Sequence, residues 1–544
     1  MSVITRQALV YYVATDGNDS NNGSSLSNPF KTIQKAASVA ASGDTVYIRR
    51  GTYRETVTPA NSGASGNPIT FQCYKNEDVL ISGLDTVSTS WTQYSGDIYY
   101  TDFTMNMGDK DAVFVDGDLM DYARWPDKTG ANPMTNDGAA VDSGNLTTIT
   151  DTDMPNQSSG WYDGAIVWCI AGAKWTAWGA TITSSGNGTI KFTIPGDMGE
   201  YHNPSDTTRG DSNYYYLAGK LGLLDAEKEW FYDTEARRLY LYAPGGGNPE
   251  GRTVEVKARA LAIDLTGKSY INFDGIDIKG AQMKITGDHN IIDNMTATHI
   301  FTHNARGMYH THPVEDDGIH ITGSYNLVKN GNFSYSDGNM FLIDAGVDNE
   351  ITNNYIHHVD LNGCYDAPIR LEDTGDQNFT IITRNTIYST GRSAIHFCRP
   401  AYFKYNEVYY TDIVGDDGAP IYCGGDLMNS EIAFNIVHDI YWQSGSREGV
   451  VSGIYMDGGS SNCTAHHNLL YNIGQDAAFR FNSPSDGGRY AYNNTTYNCP
   501  VDLIKYHGDK IFQEENNYHN VFTGSDCFSN WTAGAVFDPI DEIR

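Results

Sequence analysis

From about residue 318 the chain runs in short bursts of alternating apolar and polar residues: GIHIT (318–322), LIDAG (342–346), PIRLE (368–372), AIHFC (394–398), PIYCG (420–424), GIYMD (453–457) and AFRFN (478–482). Alternation with a period of two puts every second side chain on one face of a strand. Between the bursts a second phrase recurs, in which Asn precedes another alternating stretch: IIDNMTA, ITNNYIHH, IITRNTIY, FKYNEVYY, EIAFNIVHD, TAHHNLLYN and AYNNTTYN. Its Asn residues are Asn294, Asn354, Asn385, Asn406, Asn435, Asn468 and Asn494, with Asn332 between the first two, and from Asn332 onward they stand 21 to 33 residues apart. A repeat of that length, built of strands and without helical periodicity, predicts coils of a parallel β-helix. Asn suits the bends of such a coil. It tolerates the left-handed conformation and can bond its amide to the Asn above and below.

The N-terminal stretch YYVATDGNDSNNGSSLSNPFKTIQKAASVAASGDTVYIRRGTYRE predicts a strand, a polar loop, one amphipathic helix and a second strand. It resembles the first coil and capping helix of right-handed parallel β-helix carbohydrate enzymes. An open solenoid end needs such a cap. Between 84 and 252 the period is lost and Trp and Tyr become frequent, as in WYDGAIVWCIAGAKWTAWG. Alternating strands and turns there predict an inserted antiparallel, sandwich-like β-subdomain, with KEWFYDTEARRLYLYAPGG as a hairpin. The expected fold is thus all-β. First coils and the capping helix occupy 1–83, the insertion 84–252, and the main parallel β-helix with its cleft 253–544.

Registering the bursts on the Asn positions separates two faces. One carries Ile319, Ile343, Ile369, Ile395, Ile421, Ile454 and Phe479 and predicts the solenoid core. The other carries His320, Asp344, Arg370, His396, Tyr422, Tyr455 and Arg480 in one column. Two residues further on stand Thr322, Gly346, Glu372, Cys398, Gly424, Asp457 and Asn482. A plain solvated face would mix Lys, Glu, Thr and Ser. These strands have no Lys and gather His, Tyr, Arg and carboxylates on coils about 4.8 Å apart, which predicts a cleft for an extended ligand.

Composition narrows the ligand. The net charge of −31 excludes a generic nucleic-acid binder, because phosphate contacts need a basic surface. No run of about 18 apolar residues exists, so no membrane span is expected. The opening MSVITRQALVYYV is not a normal signal peptide. A secreted, periplasmic or cell-surface location is expected with the signal outside this sequence, and a cytoplasmic one stays open. The eight Cys form no CxxC and are expected to be mostly free, buried thiols.

The resemblance to β-helix carbohydrate enzymes implies a polysaccharide or oligosaccharide as the ligand. Glycosidases commonly use a carboxylate pair, whereas polysaccharide lyases need a base, often Lys or Arg, and often Ca²⁺. Carboxylates without Lys favour a hydrolase. A lyase acting through Arg370 or His396 is the alternative, and a non-catalytic glycan-binding protein the third reading. No cofactor is required, and Ca²⁺ is compatible. The segments DDGAPIYCGGDLMNSEIAFNIVHD and GIYMDGGSSNCTAHHNLLYN resemble parallel β-helix glycoside hydrolases of family 141, which includes α-L-fucosidase and xylanase activities. The N-terminal coil also resembles the family 120 β-xylosidases. The first resemblance implies Asp417 and Asp457 as the catalytic pair.

Register alone separates Asp417 from Asp457 by seven strand positions, about 23 Å, unless the DDG turn folds back over the cleft. Asp416 is an equal candidate for the turn position. On the same register Asp344 and Glu372 lie one coil and two positions apart, roughly 8 Å, a spacing found in inverting enzymes. Their bland alternative is a salt bridge to Arg370. Catalysis is therefore assigned to Asp417, Asp457, Glu372 or Asp416, and substrate binding to His320, Asp344, Arg370, His396, Tyr422, Tyr455 and Arg480. His310, His312, Glu315, Asp316 and Asp317 form either a charged cleft wall or a weak metal set. Arg447 and Glu448 lie on a long loop expected to overhang the cleft.

Overall fold

The computed structural model describes residues 6–530, except 131, 136, 157, 195–198, 207–212, 305–317, 373–378, 442–449, 475, 483–487, 502 and 506–528. The fold is a right-handed parallel β-helix with an N-terminal capping helix and an inserted antiparallel subdomain. Among the described residues the solenoid has three parallel sheets of twelve, eleven and eleven strands, here called I, II and III in that order. Sheet II begins at Gly51–Tyr53 and sheet III at Leu261–Leu265.

Ile, Val, Leu and Phe from all three sheets fill one continuous core running from Val13 to Cys499. Ile319, Ile369, Ile395, Ile421 and Ile454 are fully buried in it, each above its counterpart. At the N-terminal end α1 (Ile33–Val39) places Ile33, Ala36 and Ala37 over the first coil, shielding the apolar axis from water. Thr32 caps α1, its Oγ1 accepting the Lys35 amide at 3.0 Å.

The Asn ladder has a form the sequence only half predicts. Asn354, Asn385, Asn406, Asn435, Asn468 and Asn494 stack in consecutive coils, each with its Nδ2 donating 2.9–3.1 Å to the next Oδ1. Each amide also caps backbone of neighbouring coils, which satisfies buried polar groups a sharp corner would orphan. The left-handed residue is the one before, as in Asn353, Tyr405, Phe434 and His467. The ladder Asn are therefore selected for hydrogen bonding, not for their backbone angle. Asn294 and Asn332 stand beside this column rather than in it. A second ladder, Asn290–Asn326–Asn349, lies at another corner.

The insertion interrupts the solenoid between its early coils. Strands Ile98–Asp102, Glu229–Asp233 and Arg238–Tyr242 make a five-stranded sheet with two neighbours, the last two as the predicted hairpin. An eight-stranded sheet centres on Ile166–Ile170, Trp178–Gly186 and Tyr214–Ala218. Val254–Lys257 closes a smaller antiparallel sheet before the coils resume. The seven described cysteines are free, and six of them are buried. No helix among the described residues is long and apolar enough to cross a membrane.

Candidate functional site

Sheet III carries the face. Its column reads Asp264, Lys284, His320, Leu342, Arg370, His396, Tyr422, Tyr455 and Arg480 in continuous register. Two corrections follow. Ile319 pairs with Phe341, not Ile343, so Leu342 takes the place assigned to Asp344. A slip of two keeps each side chain on its face, but it moves Asp344 into the second column. There it stands one coil from Glu372 at the same register, about 4.8 Å along the axis rather than 8 Å. Lys284 also stands near the head of the column, one coil before the aligned bursts begin, so the face does hold a Lys.

The first column is roofed rather than open. His320, Arg370, His396, Tyr422, Tyr455 and Arg480 are all buried. The second column, with Asp344, Glu372, Asp457 and Asn482, is half-buried and forms the mouth. The roof comes from the coil-to-coil loops 360–366 and 412–418 and from the insertion, which packs Met134, Ile166, Trp168, Ile170 and Ala177 onto Cys364 and Val414. Trp168 Nε1 donates to the Asn362 carbonyl at 3.1 Å, and the Ala177 amide to the Gly363 carbonyl at 2.6 Å.

The DDG turn folds back over the cleft, and its sequence explains how. Asp416 is buried, and its Oδ1 accepts the Asp417 amide at 2.8 Å and the Val450 amide at 3.0 Å. Its own amide donates 2.8 Å to the Lys174 carbonyl of the insertion. Asp416 thus fastens the turn. Asp417 adopts φ 51°, which Asp tolerates better than most residues. At Gly418 a Cβ would lie 2.2 Å from Asp412 Oδ1, so only glycine fits. The Asp417 side chain consequently points into the site.

There it meets the strand-borne carboxylate. Tyr455 Oη lies 3.5 Å from Asp417 Oδ1. Asn482 Nδ2 donates to Tyr455 Oη at 3.0 Å and to Asp457 Oδ1 at 2.8 Å. Tyr422 Oη donates to the other Asp457 oxygen. This chain of contacts limits the two carboxylates to about 9 Å apart, within the span of a pair that flanks a glycosidic bond. Burial raises the Asp417 pKa above the usual carboxylate range, and the nearby Asp457 adds to the rise. Arg392 and Arg480 partly offset it. Burial also drives the Tyr422 and Tyr455 hydroxyls well up, so both stay protonated donors.

Arg392, Tyr365 and Asn482 were not assigned roles from sequence. Arg392 is sandwiched between the Tyr365 and Tyr422 rings, 4.2 and 4.5 Å from their centroids, and donates 2.9 Å to the Asp417 carbonyl. Tyr365 meets His396 edge-on at 5.0 Å and Trp175 of the insertion at 5.2 Å. Only Asn482 left a trace in sequence, as the member of the second column next to Asp457. Behind them Asp412 is buried, and its pKa is pushed up to about 7.

The other candidates are engaged elsewhere. Arg370 Nε binds Glu372 at 2.5 Å, and its Nη1 binds the Tyr365 carbonyl at 2.9 Å. His320 Nε2 lies 3.0 Å from Asp344 Oδ1. Arg480 is held by Asp476 at 2.7 Å, and His396 Nε2 lies 3.6 Å from Cys398 Sγ. His310, His312, Glu315, Asp316, Asp317, Arg447 and Glu448 lie outside the described residues.

A family described as Pel9A-like, right handed beta helix region, matches residues 11–125. The coils and the geometry agree with it. The solenoid is a right-handed parallel β-helix. An uncharacterized protein of Bacillus subtilis, YwoF, is 50% identical over 72 residues, covering 13% of this chain and 15% of that protein. Pectate lyase PEL9 of Emericella nidulans is 35% identical over 80 residues, 14% of this chain and 19% of that enzyme. Both matches thus span under a fifth of the relative's length. Among solved structures, one described as a glycoside hydrolase superposes over 90% of this chain and 96% of its own, with TM-score 0.70 and 18% identity. XylC in complex with xylose covers 94% and 86%, with TM-score 0.51 and 15% identity. At these identities the likeness is one of fold.

Proposed function

We propose that this chain is a glycoside hydrolase acting on the O-glycosyl bonds of a plant or microbial polysaccharide or oligosaccharide. The observation that carries the reading is the convergence of Asp417 and Asp457 on one half-exposed mouth, bridged by Tyr455 and Asn482. Asp417, whose pKa burial raises, serves as the general acid to the leaving oxygen. Asp457, accepting from Tyr422 and Asn482, serves as the carboxylate partner. Tyr422, Tyr455, Arg480 and Arg370 line the sugar subsites, with Glu372 three coils and Asp344 four coils from Asp457 along the axis. The resemblance of DDGAPIY and GIYMD to family 141 supports the same pair, and the xylose carried by XylC supports a sugar as ligand. Such a substrate is met outside the cytoplasm, so a secreted or cell-surface location is proposed with it.

A lyase is the second reading. It is favoured by Lys284 near the head of the column and by the short match to pectate lyase PEL9. Incubation with plant and algal polysaccharides and aryl glycosides separates the two. New reducing ends without unsaturated-uronate absorbance support the hydrolase. Absorbance that survives in Asp457→Asn and vanishes in Lys284→Ala would replace it with the lyase.

A further inference from the structure

A second acidic site lies in the insertion, away from the cleft. Asp127, Asp225 and Glu229 each direct a carboxylate oxygen to one point, and these oxygens lie within 4.8 Å of one another. They come from separate segments. Asp127 follows strand Arg124–Trp125 of the eight-stranded sheet. Asp225 follows the short 3₁₀ turn Leu221–Leu223. Glu229 opens strand Glu229–Asp233 of the five-stranded sheet.

Acidic residues cluster on many surfaces, but Glu229 is no surface residue. It is 3% exposed. Its Oε1 accepts the Arg124 amide at 3.1 Å, the Ala226 amide also acts on the carboxylate, and its Oε2 is buried without a hydrogen bond of normal geometry. A buried acceptor without a well-placed donor is costly and needs an explanation. The guanidinium of Arg124 does not provide one. It lies 3.9 Å from the Tyr216 ring centroid and donates to the carbonyls of Pro126 at 2.8 Å and Asp137 at 3.2 Å. Burial, followed by the neighbouring carboxylates, raises the Glu229 pKa to about 8, and burial also raises Asp127 and Asp225. The set is thus three neighbouring carboxylates, with Glu229 buried, Asp127 half-buried and Asp225 exposed as the way in.

We propose that Asp127, Asp225 and Glu229 bind a divalent cation of the calcium type, which clamps the two sheets of the insertion together. Oxygen-only ligands select hard cations. Calcium bonds oxygen at about 2.3–2.6 Å, so two ligands of one ion stand at most about 5 Å apart, which this trio satisfies. Water fills the remaining positions at the exposed side. The ion would supply the well-placed partner that Glu229 Oε2 lacks and cancel the repulsion. Its place is structural, because its three ligands come from the insertion and not from the turn and strand that carry Asp417 and Asp457.

The test uses the full chain stripped with chelator and titrated with CaCl₂, followed by calorimetry and thermal melting. Wild type should bind and melt higher with calcium. Asp225→Asn, at an exposed position, should lose one equivalent or weaken it at least tenfold, and should lose most of the calcium-dependent shift. Its metal-free melting should match or exceed that of metal-free wild type, since one repelling charge is gone. Glu229→Gln should behave likewise. Equal stoichiometry and an equal calcium shift in wild type and Asp225→Asn would overturn the proposal, as would no calcium binding by wild type.

Discussion

At the scale of single residues, the mouth sets two carboxylates in different surroundings. Asp457 has two donors and half-exposure, and Asp417 has burial and two arginines nearby. Different environments assign different proton states, which is how one pair can supply both acid and base. Asp457→Asn should lower turnover by at least a thousandfold while the melting temperature moves little, as the loss of one acid–base partner implies. Retention of a tenth of the wild-type rate would remove Asp457 from the mechanism. If Asp417 is the donor, its neutral form is active. Rate should then fall as pH rises through its raised pKa, and Asp417→Asn should abolish that alkaline limb. An unchanged limb in the variant would assign the donor elsewhere. Asp457 could be named from sequence as the strand-borne carboxylate of the second column, and Asp417 through the resemblance carried by DDGAPIY. Their meeting could not, since it depends on Asp416, Gly418 and a carbonyl from an insertion more than two hundred residues earlier.

At the scale of elements, the ladders and turns decide register. The Asn period made six of the seven bursts alignable, and the exception is instructive. FLIDAG (341–346) offers apolar residues at both 341 and 343, so hydrophobicity accepts either pairing, and only the observed ladder to Ile319 selects Phe341. Lys284 escaped because its coil lies before GIHIT, the first burst that was aligned. In the middle of that column Asn406→Ala would orphan backbone groups on two coils. It should cost about 1–3 kcal/mol per buried group left unpaired, read as a lower denaturant midpoint. Asn494→Ala, at the last described step, should cost less. Equal effects would mean the ladder is not cooperative. The turn element gives a pH test. Asp412 has a folded pKa of about 7, above its unfolded value of 3.8. Its contribution to stability is thus present in acid and is lost as pH rises through 7. Asp412→Asn should gain on wild type in melting temperature between pH 6 and pH 8. A constant difference would contradict the assignment.

At the scale of the whole molecule, the insertion is a brace as much as a domain. It reaches the cleft roof through Trp168, Trp175, Lys174 and Ala177, all from strand Ile166–Ile170 and the loop that follows it. Composition could predict an aromatic-rich insertion but not its docking face. Trp168→Phe removes the bond to the Asn362 carbonyl and part of a buried ring stacked on Tyr216. It should lower turnover about fivefold or more, at least the worth of one hydrogen bond, and lower the melting temperature through the cavity left behind. Full activity would mean the cleft does not depend on this contact.

The even stacking of coils has a consequence for how such a cleft can change. Distance along the axis comes in whole steps of about 4.8 Å. Duplicating a coil beyond Arg480 would lengthen the groove by one step and leave Asp417 and Asp457 as neighbours. Duplicating one between the strands of Tyr422 and Tyr455 would part the pair by the same step. Gain and loss of reach are therefore discrete, and the boundaries that join Asp417, Asp457 and Asn482 are closed to insertion.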